Sequence, residues 1–171
     1  NWAEGLTTYQ ADHAIAALRK PGGGQQKRLE WLRNYAALPA DRDHALTAFR
    51  SKTHDAPQAV GYGKTAFVFP MPSVKLGQDV FDQAIQRFGR DNLWTVAGWP
   101  DIQAAFEAQT GQNLTDFFTA WVERPGAPVL SISDSAHTAD RVEFTLNQSQ
   151  DGAAYPLTVP IAVETTAGVE R

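Results

Sequence analysis

The chain has 171 residues, of which 43% are hydrophobic, and a formal net charge of −4. No apolar run approaches the roughly 18 residues that a membrane-crossing helix needs. No Lys/Arg-rich block or basic face interleaved with aromatics is present, which argues against a nucleic-acid or anionic-membrane partner. Cysteine is absent, so disulfides and thiolate metal sites are excluded. Nine Phe, five Trp and four Tyr supply large side chains for a core of one sizeable domain or two small ones. The chain opens on Asn1, directly in a helix-like pattern and without a signal peptide, and reads as a truncation.

Residues 1–123 carry helical periodicity. A first helix is expected over 3–19, ended by Lys20-Pro21 and the Gly22-Gly23-Gly24 run. A second is expected over 26–37, and a short one near Ala45, Leu46 and Phe49. The clearest amphipathic segment is 78–90, where Val80, Phe81, Ala84, Ile85 and Phe88 follow i, i+3, i+4 spacing. Trp99-Pro100-Asp101 opens a further helix that Gly111 is placed to stop. Leu114 to Val122 forms the last. Arg124-Pro125-Gly126-Ala127-Pro128 then reads as a turn-forming linker over 124–128. Residues 129–171 alternate with a period of two and predict strands at Val129 to Ser133, Arg141 to Gln148, and Tyr155 to Thr165. Three strands are half a sandwich with an open edge, so the C-terminus reads as cut as well. The fold class expected is mostly α with a C-terminal β segment.

Glu4 alone reads as a helix N-terminal acid favoured by the macrodipole, and Tyr62 alone as a half-buried aromatic at the head of a helix. His13 reads as a helix-surface or half-buried histidine. Asp41 and Asp43 read as a helix-start signal, and Trp31, Trp94, Trp99 and Trp121 as core or interface groups. Four segments change the weight of these residues because they occur in order: Trp2-Ala3-Glu4-Gly5 with Tyr9, Tyr62-Gly63-Lys64-Thr65, Trp99-Pro100-Asp101 to Gly111, and Phe117-Phe118-Thr119-Ala120-Trp121 before the Pro-Gly turn.

That order resembles the gluzincin, membrane-alanyl-aminopeptidase-like family of zinc peptidases, over roughly residues 1–130. The resemblance implies the helical distal half of a thermolysin-like catalytic domain over 1–123, followed from 129 by part of a β-sandwich. It also implies a peptide substrate and a zinc ion held by two His of an H-E-x-x-H helix plus a Glu, an arrangement that leaves one position open for water. Glu4 matches the third ligand and Tyr62 the transition-state stabiliser. H-E-x-x-H is absent from this chain; its histidines are His13, His44, His54 and His137, none paired at i, i+4. The chain alone is therefore expected to be inactive. A non-catalytic peptidase-like interaction module is the alternative, predicting an upstream segment that lacks one or both histidines. Pro70 and Pro72 depart from the family's continuous helix after the Tyr, and Gly98 stands where a Ser or Thr cap is usual. Loss of the preceding part of such a domain would uncover the 3–19 helix and favour self-association.

Overall fold

The computed structural model describes residues 2–51, 58–138, 140–165 and 168–170. Asn1 and His54 lie outside the described residues. The protein is mostly helical with a small C-terminal antiparallel β segment. Helix α1 (Trp2–Thr7) runs through a wide π-helical stretch, Thr8–His13, into α2 (Ala14–Arg19), so one rod covers the first periodic segment. Helix α3 (Gly23–Ala36) begins earlier than its apolar spacing suggests. Of these three glycines only Gly22 takes the left-handed conformation, at φ 74°. Gly23 and Gly24 are buried inside α3, where an added Cβ would overlap the Ala16 carbonyl and the His13 ring respectively. The glycine run is thus a close helix–helix approach as well as a turn.

After the short turns Ala40–Arg42 and Leu46–Ala48, a π-helical segment, Ala59–Lys64, leads into α4 (Thr65–Val68) and α5 (Pro70–Leu76). The prolines do not end this helical path, because Phe69 between α4 and α5 keeps helical angles, φ −69° and ψ −44°. Pro70 and Pro72 fall in the first turn of α5, where no intrahelical N–H is required. The Ser73 hydroxyl donates to the Pro70 carbonyl at 2.8 Å.

Helices α6 (Gln78–Asp91) and α7 (Trp99–Thr110) form the main packed pair. Phe81, Ala84 and Phe88 of α6 meet Ile102, Ala105 and Phe106 of α7, all buried, with the Phe81 and Phe106 rings 5.7 Å apart. The missing hydroxyl cap at Gly98 is supplied from the other side: its N–H donates to the Asp101 carboxylate at 2.7 Å. Gly111 ends α7 at φ 67°. Helix α8 (Thr115–Phe118) continues as a π-helical turn, Thr119–Glu123, bringing Phe118, Trp121 and Val122 into the core. Trp31 and Trp99 are buried as expected, whereas Trp94 is 94% exposed in a left-handed backbone conformation and contributes nothing to the core. Among the described residues no helix is long and apolar enough to cross a membrane.

Strands β1 (Leu130–His137) and β2 (Val142–Gln148) pair antiparallel from Leu130↔Gln148 to His137↔Val142, with a bulge between Ser133 and Ala136. The third expected strand differs: only its end, β3 (Val163–Thr165), is extended and paired, against β4 (Gly168–Glu170). Pro156 and Pro160 remove two ladder donors from that stretch. Instead the Gln148 side chain clamps Tyr155, accepting from its N–H at 2.8 Å and donating to its carbonyl at 3.0 Å. Tyr155 is buried against Trp121, ring centroids 4.8 Å apart, and its hydroxyl donates to the Pro125 carbonyl at 3.1 Å.

Candidate functional site

Helix α1 crosses the path formed by Ala59–Lys64 and α4 at Gly5. A Cβ on buried Gly5 would overlap the Thr65 side chain and approach the Thr65 backbone carbon to 2.9 Å. Glycine therefore allows an approach closer than any other residue would. The Thr65 hydroxyl is turned away from the crossing and donates to the Val60 carbonyl at 3.1 Å.

That crossing puts Glu4, one residue before Gly5, beside Tyr62, three residues before Thr65. The exposed Glu4 carboxylate lies near enough to the half-buried Tyr62 hydroxyl for the two to interact electrostatically. Burial and the neighbouring Glu4 carboxylate push the Tyr62 hydroxyl above its ordinary value. The Tyr62 hydroxyl is therefore protonated at neutral pH and available as a donor. Its ring is held edge-to-face by Phe49 at 6.0 Å, and the same Phe49 ring fills the space that a Cβ on Gly61 would need. The pair is thus a carboxylate and a phenolic donor at one crossing, 58 residues apart in sequence.

Among the described residues no group of three or more His, Asp or Glu side chains could hold a metal ion. One exposed carboxylate fits a metal as a single ligand among several and does not make a site by itself. The described histidines are dispersed. His13 ends the π-helical stretch of the first rod, His44 lies after the Ala40–Arg42 turn, and His137 ends β1. His13 is stacked on Tyr9 at 5.2 Å and bonded to the Arg28 guanidinium at 2.5 Å.

No family model matches the chain. Curated proteins do. Aminopeptidase M1 of Arabidopsis thaliana is 26% identical over 104 residues, covering 61% of this chain and 11% of the relative. Tricorn protease-interacting factor F2 of Thermoplasma acidophilum is 25% identical over 111 residues, 64% of this chain and 14% of the relative. Aminopeptidase M1-B of Oryza sativa subsp. japonica is 26% identical over 132 residues, 75% of this chain and 14% of the relative. A region of this chain is similar to M1 aminopeptidases at low identity. It spans 11% to 14% of the length of these relatives.

Within the aminopeptidase-like region the structure also reveals groups whose roles the sequence hides. Asp43 starts no helix; its carboxylate accepts from the Tyr35 hydroxyl at 2.7 Å, from the His44 N–H at 2.9 Å and from the Gly126 N–H. Lys64 is buried beside this cluster and donates to the Arg124 carbonyl at 3.2 Å. Residues 35, 43, 64 and 124–126 share no local motif, so only the contact pattern of the folded chain could have found them.

Proposed function

We propose that this chain is the distal part of the catalytic domain of a zinc aminopeptidase, a protein that removes N-terminal residues from peptides. In this reading residues 1–123 belong to a thermolysin-like catalytic domain, 124–128 form a linker, and 129–171 are part of a β-sandwich. The observation that carries it is the approach of Glu4 to Tyr62 at the Gly5 crossing, the two positions that the aminopeptidase resemblance singles out from opposite ends of the first 62 residues. The sequence similarity to aminopeptidases supports the same reaction class.

Glu4 would be one ligand of a zinc ion whose two histidine ligands come from an H-E-x-x-H helix outside this chain. When bound there, zinc supplies Lewis-acid activation of water and of the peptide carbonyl. Glu4 contributes a carboxylate already oriented by the Gly5 crossing. Tyr62 contributes a protonated hydroxyl beside Glu4 that can donate to an oxyanion developing on the substrate carbonyl, the point where a donor lowers the barrier most. The 171 residues alone lack the remaining ligands and should not hydrolyse peptides.

The test uses the longer polypeptide that contains this chain. Glu4→Ala should lose zinc by elemental analysis. Tyr62→Phe should keep zinc near one per chain and lower kcat by about 10²–10³, the usual cost of removing one oxyanion donor. Full zinc in the Glu4 variant would sink the ligand assignment. No zinc in the unsubstituted longer protein would favour a non-catalytic peptidase-like module instead.

A further inference from the structure

Lys64 lies two residues beyond Tyr62 in the same π-helical segment, about half a turn on, which places the two side chains on opposite faces. Tyr62 faces Glu4 and Phe49; Lys64 faces inward and is 4% exposed. Its ammonium donates to the Arg124 carbonyl at 3.2 Å and lies 5.5 Å from the centroid of the Tyr35 ring. Asp43 joins the same cluster by accepting from Tyr35 and from the Gly126 N–H. Three distant pieces of chain therefore meet behind Tyr62: α3 through Tyr35, the 43–44 turn, and the segment 124–126.

The two residues that flank Tyr62 directly are glycines. Gly61 lies against the Phe49 ring and Gly63 against Trp31, and neither has a side chain that could resist rotation of this wide turn. Burying an ammonium costs more than burying a hydrocarbon of the same length. Burial pushes Lys64 down to about 8, with Asp43 opposing the shift and Arg124 adding to it. A methionine would fill the space without that cost, so the charge contributes direction rather than packing.

We propose that Lys64 is a positioning residue for Tyr62: its bond to the Arg124 carbonyl, within the Asp43–Tyr35–Gly126 cluster, sets the rotation of the turn that holds the Tyr62 hydroxyl beside Glu4. The inference rests on the role given to Tyr62 above.

Two measurements test it. In the 171-residue chain, Lys64→Met should leave the thermal midpoint unchanged or raised, yet speed amide hydrogen exchange about tenfold or more at Tyr62 to Thr65 and at Gly126. Unchanged exchange there overturns the inference, whatever Tyr62 does. In the longer polypeptide, Lys64→Met should lower kcat about tenfold with KM within about two-fold and zinc content unchanged. In a Tyr62→Phe background the same substitution should change kcat less than about two-fold, because a residue that acts through the hydroxyl has nothing left to position. Asp43→Asn should repeat the pattern and guards against a local defect peculiar to methionine. Multiplying effects of Lys64→Met and Tyr62→Phe would show a general structural role and overturn the assignment. A Tyr62→Phe enzyme with full kcat overturns the reading of the site itself, and with it the role of Lys64, a failure distinct from normal exchange in the shorter chain.

Discussion

His13, Lys64 and Tyr35 tie the stability of the protein to pH in three separate windows. Burial lowers His13, and the Arg28 cation adds to the shift. The folded chain therefore resists a proton that the unfolded chain accepts near pH 6.5. The stability that His13 contributes is present above that pH and lost as the pH falls through it. Lys64 behaves as a buried amine: between about 8 and the ordinary value of 10.5 the unfolded chain binds a proton that the folded chain has released. Stability must rise with pH across that window. Tyr35 has the opposite sign. Burial, its hydrogen bond to Asp43 and the Asp43 charge raise it, so above pH 10 the unfolded chain loses a proton that the folded chain keeps, and stability falls. The thermal midpoint should thus decline below pH 6.5, climb from pH 8 towards 10, and drop beyond. Lys64→Met should remove the climb alone, and a climb that persists in that variant would refute its attribution to Lys64.

At the scale of elements, the site depends on how closely one helix can pass another. Glu4 and Tyr62 belong to separate helical rods, and the distance between the rods is set by Gly5 against Thr65. Gly5→Ala is favourable for α1 taken alone, since alanine is the better helix former. In the folded protein it should destabilise by about 1–3 kcal/mol, the usual cost of overpacking. It should also separate Glu4 from Tyr62, so that the raised titration of the Tyr62 hydroxyl moves back towards that of a free tyrosine. Ultraviolet titration of the tyrosines in the Gly5→Ala chain checks this; an unmoved Tyr62 would mean that the crossing tolerates a methyl group. The other glycines of the first rods work similarly. Gly23 and Gly24 read in sequence as a helix stop, yet they lie within α3 because α2 and the His13 ring come too close for side chains.

For the whole molecule, the centre of stability is the α6–α7 pair and not the candidate site. Phe106 is 1% exposed and packs on Phe81. Phe106→Ala should cost about 3–5 kcal/mol, a fall in thermal midpoint of roughly 2–4 °C for each kcal/mol in a protein of this size. A calorimetric loss below 1 kcal/mol would show that the core collapses around the gap. The β segment is attached more lightly, through Tyr155 on Trp121, the Arg124 guanidinium 4.5 Å from the Tyr155 ring centroid, and the Gln148 clamp. Every residue of β1 is exposed. Leu18 and Ile15 of α2 are 87% and 44% exposed, so apolar surface of the first rod is open to solvent.

Helices whose apolar spacing is local were legible in the chain itself. The 78–90 pattern appears as α6, and Trp99-Pro100-Asp101 with Gly111 brackets α7, because periodicity and capping depend on residues three or four apart. The strand pair over 130–148 was legible for the same reason, from its two-residue alternation. Residues Glu4 and Tyr62 were distinguishable only by resemblance, as a lone carboxylate and a lone phenol carry no local signal. Their meeting was decided by tertiary structure, through a glycine whose missing side chain matters only when a second helix lies against it. The helical path through Pro70 and Pro72 and the loss of the strand at 155–162 were decided there too. Sequence spacing records which faces of an element want burial, whereas the partner that buries them, and the polar groups such as Asp43 and Lys64 that it traps, are set by contacts between residues tens of positions apart.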